Sequence, residues 1–178
     1  MKIITTPIKD LKIIQINSFE DARGSFKETW NIKNMAFIKQ PFVQDNESIS
    51  KKNVIRGLHF QNPPYAQGKL VRVTYGAVID VAVDLRKTSK TYGEYFSIEL
   101  NDTNNLLFWI PPGFAHGFLC LKDKTVFNYK CTNYYNKNSE QCIIWNDKDI
   151  NINWPIQKPI ISDKDLKGIK LRNLKSQF

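Results

Sequence analysis

Between Lys69 and Trp145 the chain alternates apolar and polar residues in short runs rich in Val, Ile, Phe and Tyr, and the runs break at Gly, Pro, Asn or Asp. A two-residue period suits a strand, whose successive side chains point to opposite faces, and not the 3.6-residue stripe of a helix. The pattern predicts many antiparallel strands joined by turns. In Val78–Arg86, Ile79, Val81, Val83 and Leu85 share one face while Asp80, Ala82, Asp84 and Arg86 share the other, which predicts a dry side and a polar side. Further strands are expected at Leu11–Ile16, Gln44–Ser50, Leu70–Tyr75, Tyr95–Leu100, Leu106–Ile110, Gly117–Leu121, Thr125–Tyr134 and Cys142–Trp145. Helical spacing is confined to Phe26–Phe37 and part of Lys164–Leu171. Short strands at this spacing predict an all-β sandwich or barrel of jelly-roll type, with helices as accessories.

The 178 residues, 42% of them hydrophobic, supply one packed core. No repeat, low-complexity stretch or linker divides them, so residues 1–178 read as a single domain. No apolar run reaches the roughly 18 residues a spanning helix needs, and the opening segment carries Lys and Asp inside any would-be signal core. The expectation is a cytoplasmic protein. Cys120, Cys131 and Cys142 are odd in number and form no C-x-x-C pair, which disfavours a disulfide framework or a zinc knuckle and predicts reduced, buried thiols. Lys and Arg number 26 against 17 Asp and Glu, a balance of +9 that attracts nucleic acid, an acidic membrane face or an anionic small molecule. The basic residues are dispersed and no nucleic-acid motif appears, so nucleic acid ranks low among these partners.

Only two histidines are present, and histidine is the side chain that titrates nearest neutrality. His59 lies in Arg56-Gly57-Leu58-His59-Phe60-Gln61; if the stretch is extended, Arg56, Leu58 and Phe60 lie opposite it. His116 lies in Pro111-Pro112-Gly113-Phe114-Ala115-His116-Gly117-Phe118, where Pro and Gly set a tight turn that presents the imidazole at the mouth of a strand. Taken alone, His59 reads as a structural histidine, and His116 serves a turn almost as well as a ligand. Tyr129 shares a face with Phe127 and Cys131 and by itself reads as core. Lys69 by itself reads as a solvated edge charge, and Asp165, in Ser162-Asp163-Lys164-Asp165, as part of a helix cap.

The Pro111-x-Gly113-x-x-His116 turn resembles the second motif of the cupins, many of which hold a metal through a His-x-His pair, a Glu and this last His. No His-x-His exists here, so the resemblance implies a cupin-like double-stranded β-helix with no metal. A closer resemblance covers about Phe19 to Asp165. Asp21-Ala22-Arg23-Gly24, Gln44-Asp45-Asn46, Asn53 to Gln61, Gly68 to Val73, Asp80 to Arg86, Trp109 to Phe118, Tyr129 to Tyr135, Ile144 to Asp147 and Ser162 to Asp165 are similar, in order and spacing, to the dTDP-4-dehydrorhamnose 3,5-epimerases. That family implies a homodimeric jelly roll, free of metal and cofactor, that inverts C3 and C5 of a nucleotide-linked 4-keto-6-deoxyhexose. By matching position, His59 would be the general base, Tyr129 the proton donor on the opposite sugar face, Asp165 the partner of the histidine, and Lys69 a cation near the sugar O4. Nucleotide and diphosphate contacts would fall on Arg23, Glu28, Gln44, Asn46, Arg56, His116, Glu140 and Lys164. Lys167 to Phe178 carries no family signal.

These residue types suit that chemistry. A proton on carbon beside a ketone is acidic because the carbanion delocalises onto oxygen, and the C4 ketone activates both C3 and C5. Inversion needs a base on one face and an acid on the other: an imidazole held in one tautomer by a carboxylate is a suitable base, and a phenol can donate yet stay neutral at pH 7. A fixed ammonium steadies the developing oxyanion. Arg23 and Arg56 suit a diphosphate, to which guanidinium binds in bidentate fashion. Competing expectations are an enzyme that inverts one centre or takes another nucleotide-linked 4-keto sugar such as a GDP-heptose, and a barrel that binds sugar nucleotides without turnover.

Overall fold

The computed structural model describes residues 1–178. Its strands are β1 (Lys2–Thr5), β2 (Lys12–Gln15), β3 (Phe19–Asp21), β4 (Gly24–Phe26), β5 (Gln44–Ser50), β6 (Ile55–Gln61) and β7 (Lys69–Tyr75). They continue with β8 (Ala77–Asp84), β9 (Tyr95–Asn101), β10 (Leu106–Ile110), β11 (Phe114–Cys120), β12 (Thr125–Cys131) and β13 (Glu140–Cys142). One short helix, α1 (Asp163–Leu166), and a 3-10 turn at Leu171–Asn173 follow. A six-stranded sheet runs β1-β2-β10-β7-β12-β5, and a five-stranded sheet runs β13-β6-β11-β8-β9. The strand pairs within both sheets are antiparallel, and the two together form the expected cupin-like jelly roll.

The core lies between and beneath these sheets. Val71, Phe108, Ile110 and Phe127 of the six-stranded sheet pack with Val78, Ala82, Phe114 and Phe118 of the five-stranded one. A second cluster, including Leu58, Phe60, Val81, Val83, Leu119 and Ile143, covers the other face of the five-stranded sheet with help from Trp154 and Leu171. Burial at about 25 cal/mol per Å² of apolar surface makes this two-sided packing the main stabilising term.

Two local expectations need correction. The supposedly polar face of Val78–Arg86 is not solvated: Asp80, Ala82 and Asp84 are all fully buried. Both faces of β8 are covered, the Asp80 face by the inside of the jelly roll. The expected helix at Phe26–Phe37 does not form. Phe26 closes the β3–β4 hairpin, and the following segment makes turns only. Asn31 caps a single turn: its Oδ1 accepts from the backbone N–H of Lys33 at 2.9 Å and its carbonyl from that of Met35 at 3.0 Å, and the next backbone bond, from Ile38 to Met35, has the tighter three-residue spacing, so no helix propagates. The Lys164–Leu171 expectation survives as α1 alone.

The strands bearing the histidines meet at an unusually close crossing. Gly57 has φ of 117°, and a Cβ there would lie 2.6 Å from the Gly117 Cα, so only glycine lets β6 and β11 approach this closely. The register shifts at this point, between the His116–His59 pair and the Phe118–Arg56 pair. The irregularity turns the backbone N–H of Gly57 away from the ladder and toward α1, where it donates to a carboxylate.

Candidate active site

The two sheets contribute opposite walls of one cleft. From the six-stranded sheet come Gln44 and Asn46 on β5, Tyr129 on β12 and Lys69 on β7; from the five-stranded sheet come His59, Phe60 and Gln61 on β6 and Glu140 on β13. With Gln67 and Tyr135 they enclose about 450 Å³. Asn46 and Tyr129 also line a neighbouring recess of about 570 Å³ that includes Asp45, Arg72, Asn128 and Lys130. Strand register explains the six-stranded wall: Asn46 pairs with Tyr129 and Cys131 pairs with Lys69, so these polar groups ride on adjacent strands.

His59 Nε2 lies 2.7 Å from Asp165 Oδ1. The carboxylate is fixed from behind, since its Oδ2 accepts from the Gly57 backbone N–H at 3.1 Å and Ser162 caps α1 by accepting from the Asp165 backbone N–H at 3.2 Å. The side chain of Asp165 is 5% exposed and that of His59 29%. One ring nitrogen is thus held by a buried anion while the ring faces the cleft. Burial pushes the Asp165 carboxyl up, but the hydrogen bond and charge of His59 and the Gly57 and Ser162 hydrogen bonds outweigh it and leave the carboxyl below its usual value.

Lys69 Nζ sits 6.0 Å from the centroid of the Tyr129 ring. Burial lowers the lysine pKa, opposed by Cys131, Asp80 and Glu140. Burial raises the Tyr129 phenol, with a contribution from Cys131 and an opposing one from the charge of Arg56. The phenol therefore stays protonated at neutral pH and keeps a proton to give. At the rim, Glu140 accepts from Lys164 Nζ at 2.5 Å and from the Tyr135 hydroxyl at 2.8 Å. Burial raises the Glu140 carboxyl, and these two hydrogen bonds together with the charges of Lys164 and His59 more than reverse that.

The remaining expected contacts do not line this cleft, although His116 and Arg56 lie beside it: His116 pairs with His59 across the β6–β11 ladder, and the charge of Arg56 reaches Tyr129. His116 is buried rather than presented at a strand mouth; its Nε2 is 2.9 Å from Asp80 Oδ2 and its ring stacks on Phe127. Burial drives that imidazole pKa down and the Asp80 carboxyl up. Arg56 is held by Ser50 Oγ at 3.0 Å. Arg23 is on the exposed β3–β4 hairpin, paired with Asp21 at 2.6 Å, and Glu28 bonds Asn31 and Asn34; neither lines the cleft of this chain.

Several contributing residues carried no signal of their own in the sequence. Gln61 donates to the backbone carbonyls of Tyr65 and Tyr134 and accepts from the Asn136 N–H, and so ties together the loops that bear the rim. Tyr135, adjacent to Tyr134 in an aromatic pair, lines the cleft and engages Glu140. The fixed spacing of that pair from Tyr129 is the only pattern that could have pointed to it.

A sequence model of the dTDP-4-dehydrorhamnose 3,5-epimerases matches residues 5–173. The chain is 50% identical over 173 residues to the dTDP-4-dehydrorhamnose 3,5-epimerase of Shigella flexneri, with 96% of each chain covered. Among solved structures it is similar to the dTDP-6-deoxy-D-glucose-3,5-epimerase of Legionella pneumophila in complex with dTDP-4-keto-L-rhamnose, with a TM-score of 0.93, 43% identity and coverage of 97% and 94%. It also resembles ChmJ, a 3'-monoepimerase from Streptomyces bikiniensis in complex with dTDP-quinovose, with a TM-score of 0.89, 26% identity and coverage of 94% and 86%. With the family match spanning almost all of its length, the chain belongs to the dTDP-4-dehydrorhamnose 3,5-epimerase family, a group of isomerases acting on dTDP-sugars.

Proposed function

We propose that this protein converts dTDP-4-dehydro-6-deoxy-D-glucose to dTDP-4-dehydro-L-rhamnose, with the hexose ring lying between His59 and Tyr129. The observation that carries the reading is the placement of a carboxylate-held imidazole on one sheet and of Tyr129 and Lys69 on the facing sheet, all at one cleft. His59 takes the proton from C3 or C5 on one ring face, and Asp165 steadies the imidazolium that forms. The electron pair moves onto the C4 oxygen, where the Lys69 ammonium stabilises the enolate; such preorganised stabilisation is typically worth about 100-fold to 1000-fold in rate. Tyr129 returns a proton to the same carbon from the other face; the imidazolium then releases its proton to solvent, the phenolate takes one back, and the sequence repeats at the second centre. Gln44, Asn46, Arg56, Glu140 and Lys164 serve the nucleotide end.

Solvent deuterium should enter both C3 and C5 of the 4-keto substrate. Tyr129→Phe should reduce net inversion at least tenfold more than it reduces exchange, since a carbanion formed by His59 can still be reprotonated from its original side. NMR of the substrate in deuterated water reads both quantities, and equal losses would remove the donor role. A second reading, inversion at C3 alone, is favoured by the similarity to the 3'-monoepimerase. In that case deuterium enters C3 and C5 stays protonated.

The family resemblance further supports a homodimer. Phe19 and Phe26 stand 62% and 70% exposed on the hairpin that bears Arg23, and Ile49, on the edge strand of the six-stranded sheet, is 63% exposed. A second copy would cover them and could bring Arg23 and Glu28 to a cleft they do not line in their own chain. Sedimentation equilibrium should give twice the 20.7 kDa chain mass, and a monomer at micromolar concentration would refute the arrangement.

A further inference from the structure

Cys142 faces the His59–Asp165 pair without a part in the chemistry above. On the β13–β6 ladder it is the direct partner of His59, so both side chains leave the sheet on the same face. Its Sγ is 4.0 Å from Asp165 Oδ1, the same oxygen that lies 2.7 Å from His59 Nε2. The ligand atoms of the three residues all fall within 4.8 Å of one another. Cys120 and Cys131 have no such company.

We infer that His59, Cys142 and Asp165 form an inhibitory site for a soft divalent cation, Zn²⁺ or Cd²⁺. The dimensions suit it. Bond lengths of about 2.0 Å to nitrogen and oxygen and about 2.3 Å to sulfur, in tetrahedral array, put the ligand atoms roughly 3.3 to 3.6 Å apart. The His59–Asp165 contact must then open from 2.7 Å by about 0.6 Å, and the Cys142–Asp165 contact must close from 4.0 Å by about 0.4 Å. Side-chain rotation at all three residues must supply these changes and bring the His59–Cys142 pair, now within 4.8 Å, to the same spacing. Three protein ligands leave a fourth position for water, and the 29% exposed His59 ring gives the ion its route from the cleft. A thiolate and an imidazole select Zn²⁺ or Cd²⁺ over Mg²⁺.

The proton balance explains the inhibition. In the resting site Cys142 is a free thiol. Ion binding releases that thiol proton to solvent as the sulfur–metal bond forms. For Nε2 to ligate, the His59 proton moves to Nδ1, the nitrogen that would otherwise accept the substrate proton. Asp165 binds as the carboxylate. The ion thus occupies the contact that holds the histidine and leaves the base in the wrong tautomer.

The inference depends on the proposed function only where lost activity is read through His59, and direct metal binding separates the two. Metal-free protein titrated with Cd²⁺ should bind one equivalent with an ultraviolet thiolate-to-cadmium charge-transfer band. Zn²⁺ should suppress deuterium exchange into substrate, and EDTA should restore it. Cys142→Ser should keep metal-free exchange, lose the band and need at least about tenfold more Zn²⁺ for half-inhibition, since removing even a supporting partner of a metal ligand costs that much. An unchanged band or unchanged Zn²⁺ sensitivity in Cys142→Ser overturns the site. Absence of a band in an active wild-type protein overturns it while leaving the epimerase reading intact. One bound equivalent with full exchange overturns the inhibitory role and, with it, His59 as the base.

Discussion

His59→Ala should abolish deuterium exchange at both C3 and C5, with a loss of about 100-fold to 10,000-fold at each centre, the range a positioned general base supplies. No other group in the cleft can take over. The second imidazole, His116, is buried against Asp80 and does not line the cleft. Glu140 does line it, but its carboxylate is already committed to Lys164 and Tyr135, and these bonds lower its basicity. Lys69 is the remaining nitrogen, and in the proposed reaction it stands at the enolate oxygen as the ammonium, with no lone pair to take a proton. With a single imidazole serving both carbons, as proposed, the two exchange rates should fall together. Exchange at one carbon within about tenfold of wild type would mean that a second base exists and that the two centres are handled by different groups. Thermal stability should change little, since the His59 side chain is partly exposed and leaves no deep cavity.

Leu106–Ile110 was legible to the residue, because it is a continuous apolar run held between Asn105 and Pro111, and Gln44–Ser50 matches its strand to the residue although most of it is polar. Strand β6 was only conditionally legible, since Gly57 interrupts its pattern and its left-handed φ leaves no periodic trace. Alternation in β8 identified Asp80 and Asp84 as facing together but could not say whether they face water or the inside of a jelly roll. Burial is a property of the closed fold, and local period does not encode it. The same limit applies to the site. Tyr129 next to Phe127, and Lys69 after Gly68, are ordinary strand residues until two sheets close over one another. Asp165 is 106 residues from His59 in the chain, so their contact comes from tertiary structure alone. Only the resemblance joined these positions in advance; it did not show that His116, the strand partner of His59, is held by an aspartate.

Asp165→Asn should cost about tenfold to 10,000-fold in exchange while the fold persists. The replacement is isosteric, yet it sets two hydrogen bonds against each other. If the new amide keeps its oxygen toward the Gly57 N–H, now 3.1 Å from Oδ2, its NH₂ group faces His59 Nε2. That nitrogen must then accept, the ring proton moves to Nδ1, and the base is lost; the corresponding change in a serine-protease triad costs about 10,000-fold. If the amide turns over, the ring keeps its useful tautomer, but two donors meet at Gly57. An unsatisfied buried N–H costs about 1 to 3 kcal/mol, so this form is populated at roughly one part in ten to one in a hundred. Activity should lie between the two limits, and loss below about tenfold would show that the tautomer of His59 is set by something else. Stability against pH gives an independent check. The Asp165 carboxyl is held below its usual value in the folded protein, so its contribution is present above the unfolded value of about 3.9 and is lost as pH falls through the lower folded value. Asparagine does not titrate. Thermal melts of Asp165→Asn should therefore fall less steeply below about pH 4 than those of the wild type, and superimposable acid limbs would deny Asp165 the hydrogen bonds on which the His59 assignment depends.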